Sequence, residues 1–340
     1  MFTRSRLLFA ILVLASATAF KPATPPRQRS AILISWDGAL REHVNDCLKR
    51  NQMPNLAQLT KEGRMVDIEV SGHITDTRAG HAQMLTGYDA SLTGVFSNTR
   101  FQPIPRGYSI FERLQESFGK QGIATIMVPG KAMGLGPGAP KTPAEAETPS
   151  PISDEPSDED DRQARRVEKI RLAGEQNVSG QPFYLVKSSL TAWDGDRPRD
   201  AGKVGQKALA LIDRFGRKGR FFLFIHFGDA DVNGHKYGED SREYNDALVS
   251  LDAWLGRIVA ELKADALYDR TALYVTADHG FDVGTTHHSN ATHIFLASND
   301  PLLVSAGEQK DIAPTVMQAL GVDLSKITPA LPGKSLRKQE

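Results

Sequence analysis

Carboxylates and imidazoles recur in this chain beside runs of apolar residues. Asp37 follows Ala31–Ser35, and Asp231 and His235 follow Phe221–Phe227. Asp278-His279-Gly280 follows the run around Leu273–Val275, and His287-His288 precedes Thr292–Ala297. Taken singly, each is a strand end with a solvated polar turn. Taken together they read differently, because parallel strands bring their carboxyl ends to one edge, where open α/β sheets place ligand chemistry. Oxygen and imidazole donors without thiolates suit Zn²⁺, or Mn²⁺ and similar ions, and two three-ligand protein sites can be assembled from them. Between the first and the later residues lies Thr75-Asp-Thr77-Arg-Ala-Gly-His81. A Thr hydroxyl is a poor nucleophile until a metal lowers its pKa and holds it in line with an electrophile. The competing reading of Thr77 is an N-cap on the helix that follows.

The elements that must position these residues alternate. Strands are expected at Ala31–Ser35, Val66–Val70, Ile123–Val128, Phe183–Val186, Phe221–Phe227, from Thr271, and at Thr292–Ala297. Helices are expected at Met53–Glu62, Ser109–Phe118, Gly202–Phe215, Ser241–Ala264 and Asp311–Leu320. Strand–helix alternation with near-continuous apolar strands predicts an α/β fold: a mostly parallel central sheet with helices on both faces. One catalytic domain, 30–133 joined to 182–325, holds every candidate residue. Between the two parts, residues 134–181 turn Pro-rich and acidic, as in Asp158-Glu159-Asp160-Asp161. That segment is read as a flexible insertion or a lid over the site.

Lys+Arg and Asp+Glu both number 41, a formal net charge of zero, so no basic excess argues for nucleic acid as a partner. Cys47 is the only cysteine, which excludes an intrachain disulfide and a Cys-cluster metal site. Arg4 and Arg6, the apolar run Leu7–Leu14 and Ala17-Thr18-Ala19 make residues 1–19 a signal peptide, with export to the periplasm or exterior. The apolar run falls short of the roughly 20 residues that a membrane span needs. Only an uncleaved N-terminal segment would bring the chain to a membrane.

The pattern resembles the alkaline phosphatase superfamily, most closely its nucleotide pyrophosphatase and type I phosphodiesterase branch, from Ile32 to Leu320. The nucleophile stretch of that branch reads T-x-P-N-H-x-x-x-x-T-G. Thr77-Arg-Ala-Gly80-His81-Ala-Gln-Met-Leu-Thr86-Gly87 keeps its Thr, His and Thr-Gly, with Ala79 and Gly80 where Pro and Asn stand. Asp231-Val-Asn-Gly-His235-Lys-Tyr-Gly matches the branch's D-x-x-G-H-K-Y-G, and Asp278-His279-Gly280 its D-H-G.

The resemblance implies an alkaline phosphatase-like fold and two divalent metal ions, Zn²⁺ first. One would be held by Asp231, His235 and a late His; the other by Asp37, Asp278, His279 and the Thr77 oxygen. For the late His, His288 is preferred to His287 because the strand Thr292–Ala297 follows it at the right distance, and to His293 because a ligand belongs before that strand. Thr77 would form a phosphothreonine, with Asn98 donating to a phosphoryl oxygen and Lys131 and Arg100 as further phosphate contacts. The expected activity is a metal-dependent phosphoesterase acting on a small-molecule phosphate ester. Phosphomonoesterase and phosphonate hydrolase are the near alternatives; a sulfatase-like hydrolase or a non-catalytic metal-binding homologue stand further off. A sulfatase of the main type needs a Cys or Ser in C/S-x-P-x-R, and Cys47 has no such surroundings.

Overall fold

In the computed structural model, residues 30–136, 180–195 and 199–338 are described. Residues 1–19, expected as a signal peptide, lie outside them, as does nearly all of the 134–181 insertion.

The strands are β1 (Ser30–Trp36), β2 (Arg64–Glu69), β3 (Ala124–Pro129), β4 (Ala192–Trp193), β5 (Phe221–Phe227), β6 (Thr271–Thr276), β7 (His293–Ser298) and β8 (Gly307–Glu308). The helices are α1 (Arg41–Lys49), α2 (Pro54–Glu62), α3 (Thr77–Thr86), α4 (Ala90–Thr93), α5 (Ile110–Phe118), α6 (Ala132–Leu135), α7 (Ala201–Gly216), α8 (Asp229–Tyr237), α9 (Arg242–Ala264) and α10 (Ile312–Ala319). One sheet runs β4-β3-β5-β1-β6-β7-β2-β8. Every residue of β1, β5 and β6 is buried, which is why these strands read as unbroken apolar runs rather than alternating ones. Helices α1, α2, α7, α8 and α9 pack among themselves, and α3, α4, α5, α6 and α10 do likewise, giving two helical layers.

β1 lies at the centre, parallel to β5 and to β6, with Ser35 opposite both His226 and Thr276. The residues that follow these strands therefore meet. β7 runs antiparallel to β6, so its entry, not its exit, lies at the edge where β1, β5 and β6 end. That is how a loop ahead of β7 reaches the same edge. The turn after Asp37 is tight: Gly38 has φ +71°, and a Cβ there would lie 2.8 Å from the Phe281 ring and 3.0 Å from the Asp231 backbone. Only glycine meets both demands.

One expected strand is absent. Phe183 to Val186 forms a turn running into the 3₁₀ segment Leu185–Ser189, and the strand of this region is the short β4. Phe183 and Val186 are both fully buried. Residues three apart share a face in a 3₁₀ turn, so a short apolar cluster cannot tell the two states apart. The sequence also hid α1 and α8, the latter carrying Asp231 and His235 one turn apart.

The N-terminus of α2 is capped from a distance. Met53 offers no side-chain cap, while buried Asp252 on α9 accepts from Asn55 N at 3.2 Å and Leu56 N at 2.7 Å. Replacing Asp252 by Ala strands these donors inside the fold. The expected loss is about 2 kcal/mol, read as a lower denaturant midpoint with an unchanged m value.

Candidate metal centre and nucleophile

Two groups of ligand-type atoms assemble where β1, β5 and β6 end: Asp37 with Asp278 and His279, and Asp231 with His235 and His288. In the first, His279 Nε2 lies 3.4 Å from Asp37 Oδ1 and 3.5 Å from Asp278 Oδ2. In the second, His235 Nε2 lies 3.2 Å from Asp231 Oδ1 and 3.1 Å from His288 Nε2. The two adjoin, with His279 Nε2 3.9 Å from Asp231 Oδ1.

The histidines are oriented alike. His235 Nδ1 donates to Thr286 O at 2.8 Å, His279 Nδ1 to Gly280 O at 2.9 Å, and His288 Nδ1 to Thr75 O at 2.6 Å. Each bond leaves Nε2 turned to the centre, the arrangement that metal-ligating histidines use. Asp37 Oδ1, Asp231 Oδ1, Asp278 Oδ2 and His279 Nε2 are buried and lack hydrogen-bond partners. Such orphans are rare in folded proteins. Their types fit divalent ions such as Zn²⁺, which would give each of them a partner.

Two other clusters have ligand-type atoms but not this construction. His43, Glu239 and Asp240 lie together, yet His43 Nε2 is spent on Glu239, whose other oxygen accepts from Gly284 N. That cluster pins the loop leading to His288. Asp213, Glu261 and Asp265 form a more exposed acidic patch.

His288 thus joins a ligand group, while His287 is exposed and exposed His293 pairs with Glu42 at 3.1 Å and Glu69 at 3.6 Å. Thr77 is buried, 7% exposed. It is not the N-cap: Asp76 takes that place, accepting from Ala79 N at 3.2 Å, and Thr77 is the first helical residue. His81 links this turn to the metal groups, since its Nδ1 bonds Thr77 O at 2.7 Å and lies 3.3 Å from Asp278 Oδ2. Asn98 Oδ1 accepts from Arg78 N at 3.0 Å, which ties the Asn98 loop to the first turn of α3. Among the described residues, neither Asn98 Nδ2 nor the Thr77 N–H has a hydrogen-bond partner. Arg100 is stacked on Phe96, 3.9 Å from its ring centre. Lys131 reaches from the end of β3 to the carboxylates of Asp37, at 2.9 Å, and Asp231.

Reading the sequence overlooked His226, fully buried in β5, which donates from Nε2 to Asp37 Oδ2 at 2.8 Å. A lone imidazole inside Phe221–Phe227 was the available signal.

Charge is unevenly distributed. Burial is the largest influence on Asp37 and Asp231 and pushes both up, but the Lys131 ammonium, joined by His226 and His279 at Asp37 and by His235 at Asp231, holds both below the usual carboxylate range. Asp278 is pushed well above that range by burial and by the charge of Asp37. Burial alone would lower His279, but Asp278 and Asp37 raise it to about 10. Burial and the neighbouring His279 bring His288 down to about 3.

The family profile described as Type I phosphodiesterase / nucleotide pyrophosphatase matches residues 31–317. The chain belongs to this family, within the alkaline phosphatase superfamily. Its curated relatives include a Mus musculus bis(5'-adenosyl)-triphosphatase ENPP4, 23% identical over 73% of this chain and 46% of the relative. Another is the Mus musculus ectonucleotide pyrophosphatase/phosphodiesterase family member 7, 22% identical over 86% of this chain and 58% of the relative. The chain thus spans about half the length of the curated relatives it matches. Among solved structures, murine ectonucleotide pyrophosphatase/phosphodiesterase 5 in complex with AMP shares the fold at TM-score 0.57 and 14% identity, covering 91% of this chain and 97% of that one. A TAB5 alkaline phosphatase with Mg bound does so at TM-score 0.56 and 16% identity, covering 87% and 99%. At these identities the structural likeness concerns the fold. Among the described residues, no helix is long and apolar enough to cross a membrane.

Where the family pattern has Asn, Gly80 allows α3 to touch Asp278: a Cβ there would lie 2.5 Å from the Asp278 carbonyl oxygen. Gly80→Ala is therefore expected to displace Thr77 from Asp278 and destabilise the fold by about 1–3 kcal/mol, seen as a drop in kcat together with a lower Tm. A second expectation follows from His279. With a pKa of about 10 it carries a proton at neutral pH in the ion-free protein, whereas a metal ligand must be neutral. Zn²⁺ loading at pH 7 should then release protons from His279 and from the Asp278 carboxyl, which burial and Asp37 push well above the usual range, and the His279 share should fade as pH rises through 10. Calorimetric titrations in buffers of different ionisation enthalpy measure it; no buffer dependence would contradict this protonation state.

Proposed function

We propose that the chain is an exported two-metal phosphoric ester hydrolase, acting on small phosphodiesters or nucleotide pyrophosphates through a phosphothreonine on Thr77. The observation that carries this reading is the set of orphaned buried ligand atoms on Asp37, Asp231, Asp278 and His279, linked to the Thr77 turn through His81. The family match and the names of the relatives point to the same reaction class. Export rests on the Met1–Ala19 pattern.

Asp37, Asp278, His279 and the Thr77 oxygen would hold one ion; Asp231, His235 and His288 would hold the other, with Zn²⁺ the best fit to the donors and Mn²⁺ next. Bound there, the ions supply positive charge that favours an alkoxide at neutral pH and offsets charge on a departing oxygen. Thr77 Oγ1 gives up its proton and attacks phosphorus. The P–O bond to the leaving group breaks, and that oxygen departs with its electron pair and takes up a proton. Asn98 Nδ2 and the Thr77 N–H, both without partners among the described residues, receive the non-bridging oxygens. His81 holds the Thr77 carbonyl and so fixes the first turn of α3. Water then attacks the phosphothreonine phosphorus, the P–O bond to Thr77 Oγ1 breaks, that oxygen takes up a proton lost by the water, and the phosphate monoester leaves.

Purified protein should contain two divalent ions and hydrolyse bis-p-nitrophenyl phosphate. Thr77→Ala should retain the fold and the ions but lose activity by a factor on the order of 10⁴ or more. A diester rate above that for p-nitrophenyl phosphate selects the phosphodiesterase reading, and the reverse ratio a phosphomonoesterase. Absence of bound metal with no turnover of any phosphate, phosphonate or sulfate ester would overturn the enzyme.

A further inference from the structure

Lys131 stands at the end of β3, two strands from β1 in the sheet order, yet its ammonium lies among the carboxylates of both metal groups. It is 2.9 Å from Asp37 Oδ2 and also bonds Asp231 Oδ2. Which oxygens it holds is informative. On each aspartate Lys131 takes Oδ2, while Oδ1 is left as a buried orphan. The Oδ1 atoms face the imidazoles of the two ligand-type groups, with Asp37 Oδ1 3.4 Å from His279 Nε2 and Asp231 Oδ1 3.2 Å from His235 Nε2. Lys131 and a metal ion therefore have separate oxygens on the same two side chains.

His226 completes the arrangement. Its Nδ1 accepts from Gly130 N at 3.1 Å and from Lys131 N at 3.3 Å, so the ring proton sits on Nε2 and is donated to Asp37 Oδ2. The backbone that carries Lys131 is thus tied through His226 to the same oxygen its ammonium binds. The Lys131 side chain is 28% exposed, whereas those of Asp37 and Asp231 are 0% and 4% exposed. A buried carboxylate deprived of its partner is costly, and one ammonium here serves two of them.

We propose that Lys131 is a positioning residue that clamps the two metal groups together, rather than a contact for the substrate phosphate. By fixing the Oδ2 atoms of Asp37 and Asp231, it aims both Oδ1 atoms and sets the spacing of the two sites. The proposal rests on the two-metal reading of this centre. It differs from the phosphate-contact role that family resemblance suggests for Lys131.

The test compares the full-length wild type with Lys131→Met and Lys131→Gln, each stripped of ions and titrated with Zn²⁺ against a chromophoric chelator. Metal-saturated samples are then inhibited with inorganic phosphate. Circular dichroism checks folding, and Lys131→Gln supplies the result should Lys131→Met fail to fold. The clamp predicts that both ions bind about tenfold or more weakly in the variants, as loss of an outer-shell partner does, while the phosphate inhibition constant at saturating Zn²⁺ stays within about threefold. Three results would overturn it: unchanged or tighter Zn²⁺ binding, weakening confined to one ion, or a phosphate inhibition constant raised tenfold with both ions in place. Uptake of fewer than two ions by the wild type would instead refute the two-metal reading itself.

Discussion

Three buried carboxylates, Asp37, Asp231 and Asp278, converge where β1, β5 and β6 end. Like charges out of water repel strongly and are poorly solvated, so such a cluster persists only where opposite charge is supplied. In the ion-free chain that charge comes from Lys131 and from a protonated His279. The Oδ1 atoms of Asp37 and Asp231, Oδ2 of Asp278 and Nε2 of His279 have no hydrogen-bond partner. The remainder of the described fold can be understood as the apparatus that holds those atoms still.

The sheet does most of this. β1 lies between β5 and β6, so Asp37 is flanked by the residues that follow both neighbours. The antiparallel β7 brings in His288 from a loop that enters the strand rather than leaves it. Backbone carbonyls of Thr75, Thr286 and Gly280 then orient the three imidazoles. Because Thr75 precedes Thr77 by two residues, the bond that aligns His288 also ties the Thr77 segment to the group of Asp231, His235 and His288. The turn holding Thr77 is further secured by Asp76, Asn98 and His81, and by the close approach of Gly80 to Asp278.

Much of this was legible in the linear chain. The apolar runs of β1, β5 and β6 gave their places closely, since strands buried on both faces show neither alternation nor interruption. The candidate ligand residues were legible for a related reason: a carboxylate or imidazole directly after such a run is chemically out of place. Phe183–Val186 misled because four apolar residues suit a strand and a 3₁₀ turn equally. Asp231 and His235 were found without their helix, because α8 is polar on the face that the site uses. Asp252 capping α2 could not be read, as donors and acceptor are almost two hundred residues apart.

The sequence by itself determined the inventory: which donors are present, that thiolates are absent, and that Thr77 stands in a family nucleophile pattern. It determined the α/β class through the burial pattern of single strands. Tertiary structure alone decided the grouping, since which strand ends adjoin depends on sheet order, and sheet order depends on long-range pairing. It brought His288 beside Asp231 and His235, gave the helix cap to Asp76 instead of Thr77, and set Lys131 between two aspartates. Each of these turns on distances across the sheet, and residue type carries no information about which remote atom will lie within hydrogen-bond reach.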